Sequence, residues 1–161
     1  MRLTLHTDYA RRVLIFVGVK EGGLTTIGEI AGGYGISKEH LRKVVHRLSQ
    51  LGYLRTLQGR HGGIELGHPP DRINIGTVVR EVEDGFALVE CLDHGPCRCC
   101  IMPACVLRIV LRQALENFFT TLDGIRLSDL IRSPAPLVEL LRIKAAPIAK
   151  PTPTGQPEPI G

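Results

Sequence analysis

The stretch Ile36–Leu54, ISKEHLRKVVHRLSQLGYL, decides the fold. Leu41, Val44, Val45, Leu48 and Leu51 recur at helical spacing behind Ser37, whose hydroxyl can accept from the first free N–H groups, and Gly52 supplies a stop. The opposite face carries Lys38, Arg42, Lys43 and Arg47 with His40 and His46, against the single acid Glu39. Such a helix packs one side on a core and turns a cationic side to solvent.

Upstream, Thr26-Ile27-Gly28-Glu29 is a capping-box pattern that opens a short helix ending at Gly32-Gly33. Before it, Tyr9/Ala10, Val13/Leu14 and Phe16/Val17 repeat at helical spacing, with Thr7 as N-cap and Gly22-Gly23 as the stop. Gly32-Gly33-Tyr34-Gly35 is not a phosphate loop, because no strand precedes it and no Gly-Lys-Ser/Thr follows. Downstream, Tyr53–Leu57 has the composition of a strand, Gly59-Arg60-His61-Gly62-Gly63 of a turn, and Ile64–Leu66 of the returning strand. Two helices joined by a tight glycine turn and followed by a hairpin predict a helix-turn-helix over about 27–51 and a wing over about 53–66, within a DNA-binding unit of residues 1–84. In that geometry the start of the second helix meets base edges. Ser37, Lys38, His40, Arg42 and Lys43 then become candidate DNA contacts, Glu39 can accept from a cytosine amino group, and Arg60 and His61 at the wing tip suit an adjacent minor groove.

After Pro69-Pro70, the positions Ile75, Val78, Val79 and Val82 predict a further helix ending near Asp84-Gly85. It leads into a loop, 85–105, within which ECLDHGPCRCCIMPACVL (residues 90–107) contains all 5 cysteines of the chain. Pro96 and Pro103 prevent a continuous helix there, and clustered thiols in a loop suggest a shared metal centre. Three chemistries compete on spacing alone. Zinc would use the C-x-x-C pair Cys97 and Cys100, with Cys99 beside it, completed by Cys91, Cys105 or His94; an iron–sulfur cluster tolerates the irregular spacing; and the thiols could instead form a reversible redox pair.

From Val106 a long helix carries Leu107, Val110, Leu111, Ala114, Leu115, Phe118, Phe119 and Leu122. That stripe is wide enough to suggest pairing with a second copy, the alternative being that it packs on the winged helix of the same chain. A short element over Leu127–Ile131 completes a segment 106–131, and another helix is expected over Leu137–Ile143. Residues 132–161 form a C-terminal extension whose tail, proline-rich from about residue 147, is expected to be disordered.

The fold class is therefore mainly α with a small β-hairpin wing: a winged helix-turn-helix domain plus a long dimerisation helix. With 161 residues, 43% of them apolar and no tryptophan, the core must be built from Leu, Val and Ile. Runs such as Val13–Val19 are too short to span a bilayer, and the N-terminus lacks the apolar region of a signal peptide, so the expected location is a reducing cytoplasm with no membrane partner. The net charge of +4 permits a nucleic-acid partner without requiring one. No nucleophile motif, phosphate loop or catalytic metal signature suggests an enzyme.

MRLTLHTDYA at the start, the 36–54 stretch, the GRHGG wing, and Cys-x-Ile-x-Pro-Ala-Cys running into a long helix together resemble the NsrR/IscR-type winged-helix iron–sulfur regulators. The likeness covers about residues 1–131 and is strongest to the nitric-oxide-sensing NsrR-type branch. It implies a homodimeric repressor of palindromic double-stranded operator DNA, with one iron–sulfur cluster per protomer in the loop before the dimerisation helix, 4Fe–4S favoured over 2Fe–2S. Nitric oxide is the implied signal, and nitrosylation of the cluster would release the operator. Carried over by position, the motif falls on Cys99, Ile101, Pro103, Ala104 and Cys105, and the first family cysteine on Cys91 after Glu90, which makes Cys91, Cys99 and Cys105 the implied metal ligands. The Cys91–Cys99 spacing exceeds the family's usual one, and Cys97 and Cys100 are additional, which leaves Cys97 as a substitute for Cys99. The IscR branch places a histidine three residues after the last cysteine, where this chain has Arg108. Some NsrR-type members use an aspartate near the N-terminus, donated by the other subunit, and Asp8 matches it; a first-turn carboxylate favoured by the helix dipole is the simpler role for the same residue. The rival functions are a same-fold regulator of iron supply or redox state, and a zinc-stabilised interaction protein.

Overall fold

The structure, a computed structural model, describes residues 3–20, 23–60, 62–93 and 95–143. Among these residues seven α-helices and one hairpin follow in chain order: α1 Leu5–Val19, α2 Ile27–Tyr34, α3 Lys38–Gln50, β1 Leu54–Leu57, β2 Gly63–Leu66, α4 Ile75–Val82, α5 Val106–Asp123, α6 Leu127–Leu130 and α7 Pro134–Leu140. The chain is mostly helical with a small wing, as its sequence predicts. His61, His94 and the tail expected to be disordered lie outside the described residues.

The caps of the central pair follow the side-chain chemistry. Thr26 accepts from Glu29 N–H while the Glu29 carboxylate accepts from Thr26 N–H at 2.7 Å, a complete capping box. Ser37 Oγ accepts from His40 N–H at 3.3 Å and starts α3. Several boundaries differ from expectation. Thr4, not Thr7, caps α1 and accepts from Thr7 N–H, and Thr7 is buried inside the helix. Helix α2 runs through Gly32-Gly33 to Tyr34 and stops at Gly35, whose φ of +66° is the left-handed conformation glycine favours. Gly33 serves close packing instead: a Cβ there would lie 2.7 Å from the Phe16 ring. Helix α7 also begins earlier than expected, because Pro134 takes a first-turn position where its missing N–H costs nothing.

The hairpin is antiparallel with Leu54 opposite Leu66 and Leu57 opposite Gly63. Thr25 pairs with Ile64 from the other side as an isolated bridge. Its N–H donates to Ile64 O at 2.9 Å, and Ile64 N–H donates back at 2.7 Å, fastening the wing to the start of α2.

The core gathers Leu14 and Phe16 from α1, Leu41 and Leu48 from α3, Leu54 and Ile64 from the hairpin, and Val78 and Val79 from α4. It also includes Leu127 of α6 and Leu141 just after α7, so the chain returns from the long helix to the winged-helix half. The return is pinned by Leu127 N–H donating to Ile73 O at 2.9 Å and Ile75 N–H donating to Ile125 O at 3.0 Å. Helix α5 packs on the winged-helix half at its far end, where Phe119 meets Phe86 edge to face at 4.6 Å. Toward its start, Val106, Leu107, Ile109 and Val110 are all more than half exposed. Among the described residues no helix is long and apolar enough to cross a membrane.

Candidate nucleic-acid interface and cysteine loop

Helix α3 buries Leu41, Val44, Val45 and Leu48 and turns Lys38, Glu39, His40, Arg42 and Lys43 outward. Some of these side chains are already engaged. His40 Nδ1 lies 3.0 Å from Ser37 Oγ, and Arg42 reaches Glu39 at 3.3 Å. Among the described residues Lys38 and Lys43 have no carboxylate partner, so their charge is available to phosphate. At the wing, Arg55 faces Glu65 across the hairpin at 3.8 Å, and Arg60 is exposed at the tip. Arg47 belongs to the basic run in sequence but not to this face. Its guanidinium donates to Glu81 O at 2.9 Å and ties α3 to α4.

The cysteine loop joins α4 to α5. Cys91 lies in a single 3-10 turn, Glu90–Leu92, and a second such turn, Met102–Ala104, delivers Cys105 to the N-cap of α5. Cys97, Cys99 and Cys100 lie in the irregular segment between them. None of the five is in a disulfide; Cys91, Cys97 and Cys105 are half-buried, and Cys99 and Cys100 are exposed. Arg108 Nε–H donates to Cys91 O at 3.0 Å, and Glu90 Oε1 accepts from Arg98 N–H at 3.2 Å. A cleft of about 330 Å³ opens beside Cys91, lined also by Arg108, Arg112 and Leu115.

The donor set suits a thiolate-bound iron–sulfur group: free cysteine thiols on one loop, with both ends of the loop held to one helix. The ligands do not already converge. Among the described residues no group of three or more His, Cys, Asp or Glu side chains is arranged to hold a metal ion. Arg108 is no substitute for a histidine ligand, since a guanidinium stays protonated and offers no lone pair. Asp8 lies in the first turn of α1, where its carboxylate pairs with Arg11 and, at 2.7 Å, with Arg12.

Several links between the two regions were not legible in the sequence. Tyr53 Oη donates to Glu81 Oε2 at 2.5 Å, and burial, reinforced by that hydrogen bond, raises the pKa of the Tyr53 hydroxyl. The N-cap Thr4 donates from its N–H to Glu83 Oε2 at 3.0 Å. Arg80 grips Asp123 with two bonds of 2.6 and 2.7 Å while stacking over Phe119 at 4.1 Å. Helix α4 and its C-cap thus touch α3 and the wing through Glu81, α1 through Glu83, and α5 through Arg80. Only its apolar period was visible in advance; each polar partner is distant in the chain.

Comparison with known proteins agrees with this architecture. The Rrf2 family model, described as an iron-dependent transcriptional regulator, matches residues 3–133. The HTH-type transcriptional regulator NsrR of Bacillus subtilis is 48% identical over 145 residues, covering 89% of this chain and 99% of that one. Its namesake in Oceanobacillus iheyensis is 47% identical with the same coverage. Among solved structures, CymR, the global cysteine regulator of B. subtilis, superposes with a TM-score of 0.63 at 27% identity, covering 81% of this chain and 95% of that one. IscR of T. potens shares the fold with a TM-score of 0.64 at 20% identity, covering 82% of this chain and 87% of that one. The relatives are transcriptional regulators and not enzymes. With its recognition helix, wing and long α5 in this order, and a family match running from α1 to the end of α6, the chain belongs to the Rrf2 family of transcriptional regulators.

Proposed function

We propose that the protein is a homodimeric repressor that carries an iron–sulfur cluster and releases palindromic operator DNA on meeting nitric oxide. The observation that carries this reading is the place of the cysteine loop, inserted directly between α4, which is bonded to α3 and the wing through Glu81, and α5, whose exposed apolar start suits a second copy.

Cys91, Cys99 and Cys105 would bind the cluster as thiolates, with Asp8 of the other copy as an oxygen donor. When bound, the cluster supplies iron that takes up nitric oxide most readily where a hard oxygen donor holds it weakly. Asp8 has Arg11 and Arg12 beside it as alternative partners, so a carboxylate released from iron is already compensated. A change at α1 and α5 would reach α3 through α4, and a bias of a few kcal/mol between two dimer arrangements changes operator occupancy by orders of magnitude. The family's description as iron-dependent favours a second reading, in which loss of the cluster under iron shortage is itself the signal.

Iron and sulfide are measured per chain in anaerobically purified protein, with zinc as the control. Cys91→Ala and Cys105→Ala should each lose the cluster and remain folded dimers; a full complement of iron in either variant, or stoichiometric zinc in the unaltered chain, would refute the ligand set. Nitric oxide and an iron chelator, applied separately, distinguish the two signals by which of them frees DNA.

A further inference from the structure

Two side-chain bonds among the described residues fasten the ligand loop without a metal, and each uses a side chain near a candidate ligand. Arg108 lies three residues after Cys105, and its partly buried Nε–H bond to Cys91 O, 3.0 Å, joins residues 17 apart. That single bond fixes the turn carrying the first cysteine to the helix whose N-cap is the last. Glu90, directly before Cys91, accepts from Arg98 N–H at 3.2 Å and draws the segment between Cys97 and Cys99 back to the same turn. Turn bonds within the loop, such as Leu92 N–H to Val89 O and Met102 N–H to Cys99 O, are short-range, whereas these two reach across it.

We propose that Glu90 and Arg108 are positioning residues that shape the cysteine loop before iron arrives. Arg108 sets the placement of Cys91 relative to Cys105, and Glu90 sets it relative to the Cys97–Cys99 segment. This rests on the loop being the cluster site, and extends that reading to residues that touch no iron. Ligand-orienting neighbours of this kind change metal affinity by factors of about 10 to 100 when removed. A lysine at 108 would keep the charge but lose the planar Nε–H donor that the Cys91 carbonyl accepts from.

The test begins with the metal-free chain and amide hydrogen exchange over residues 89–105. Arg108→Ala should speed exchange in the Glu90–Leu92 turn, and Glu90→Ala should speed it at Arg98, each by about fivefold to tenfold, the weight of one ordinary hydrogen bond. Exchange in α1 and α3 should not change in either variant. On anaerobic reconstitution with limiting ferrous iron and sulfide, both variants should assemble several-fold less cluster than the unaltered chain, and Arg108→Lys should resemble Arg108→Ala. Unchanged loop exchange in both alanine variants, or a lysine variant equal to the unaltered chain, would overturn the proposal. An unaltered chain that takes up no cluster, together with a loop that Arg108→Ala loosens, would refute the cluster reading and leave the positioning role standing.

Discussion

Leu127 follows the long helix by only a few residues, yet its side chain is fully buried in the core shared by α1, α3 and α4. Leu127→Ala should lower unfolding free energy by about 2–5 kcal/mol, because a cavity is left where the chain returns to that core; a denaturant midpoint close to the unaltered one would show that α6 is not part of the folding unit. Asp123 is the polar counterpart. Hydrogen bonds from the Arg80 guanidinium hold its carboxyl below the ordinary value of 3.8, and the same contact raises Arg80. A carboxylate whose folded-state pKa is depressed stabilises the fold above its unfolded value, and that contribution disappears as pH falls through the folded one. Arg80→Ala should therefore be less stable than the parent at neutral pH, with the gap closing as the pH drops below about 3.8. Paired denaturation curves down the acid range measure it, and a gap that persists into strong acid would assign the loss to the Phe119 stack instead.

At the scale of elements, the recognition helix was legible in the sequence because both of its determinants are local: Ser37 as cap, and an apolar period confined to one face. The α2 capping box was legible for the same reason. The start of α1 was not, since Thr4 and Thr7 are both competent caps three residues apart and only tertiary packing buries Thr7. Thr25 gave no strand signal, because a single residue pairing with Ile64 leaves no alternation to detect. The cysteine loop showed its donors through their clustering, but not their placement, which depends on Arg108 and Glu90 reaching across the loop. If the exposed face of α3 meets DNA, Lys43→Ala should weaken binding to a duplex selected from a random pool and make its salt dependence shallower by about one unit of slope. Gel shifts at graded salt test this, and an unchanged slope would remove Lys43 from the phosphate contacts.

For the whole molecule, Val106, Leu107, Ile109 and Val110 leave an apolar stripe exposed at the start of α5. Ile109 is 68% exposed and Val106 is 71% exposed, apolar surface whose contact with water is unfavourable and which suits a partner. Ile109→Glu should shift the protein from dimer to monomer in sedimentation while the winged half keeps its melting behaviour; a dimer that survives would place the interface elsewhere. Pairing through α5 would bring two cysteine loops and two recognition helices under one symmetry, so that a change at the loops would alter the spacing of the two recognition helices. Nitric-oxide sensing is tested by one anaerobic titration that follows visible absorption and operator binding in the same sample as nitric oxide is added. The protein should be brown, and its absorption should bleach or shift in step with release of DNA. A colourless zinc protein, or a brown one whose DNA stays bound after the absorption has changed, would contradict it.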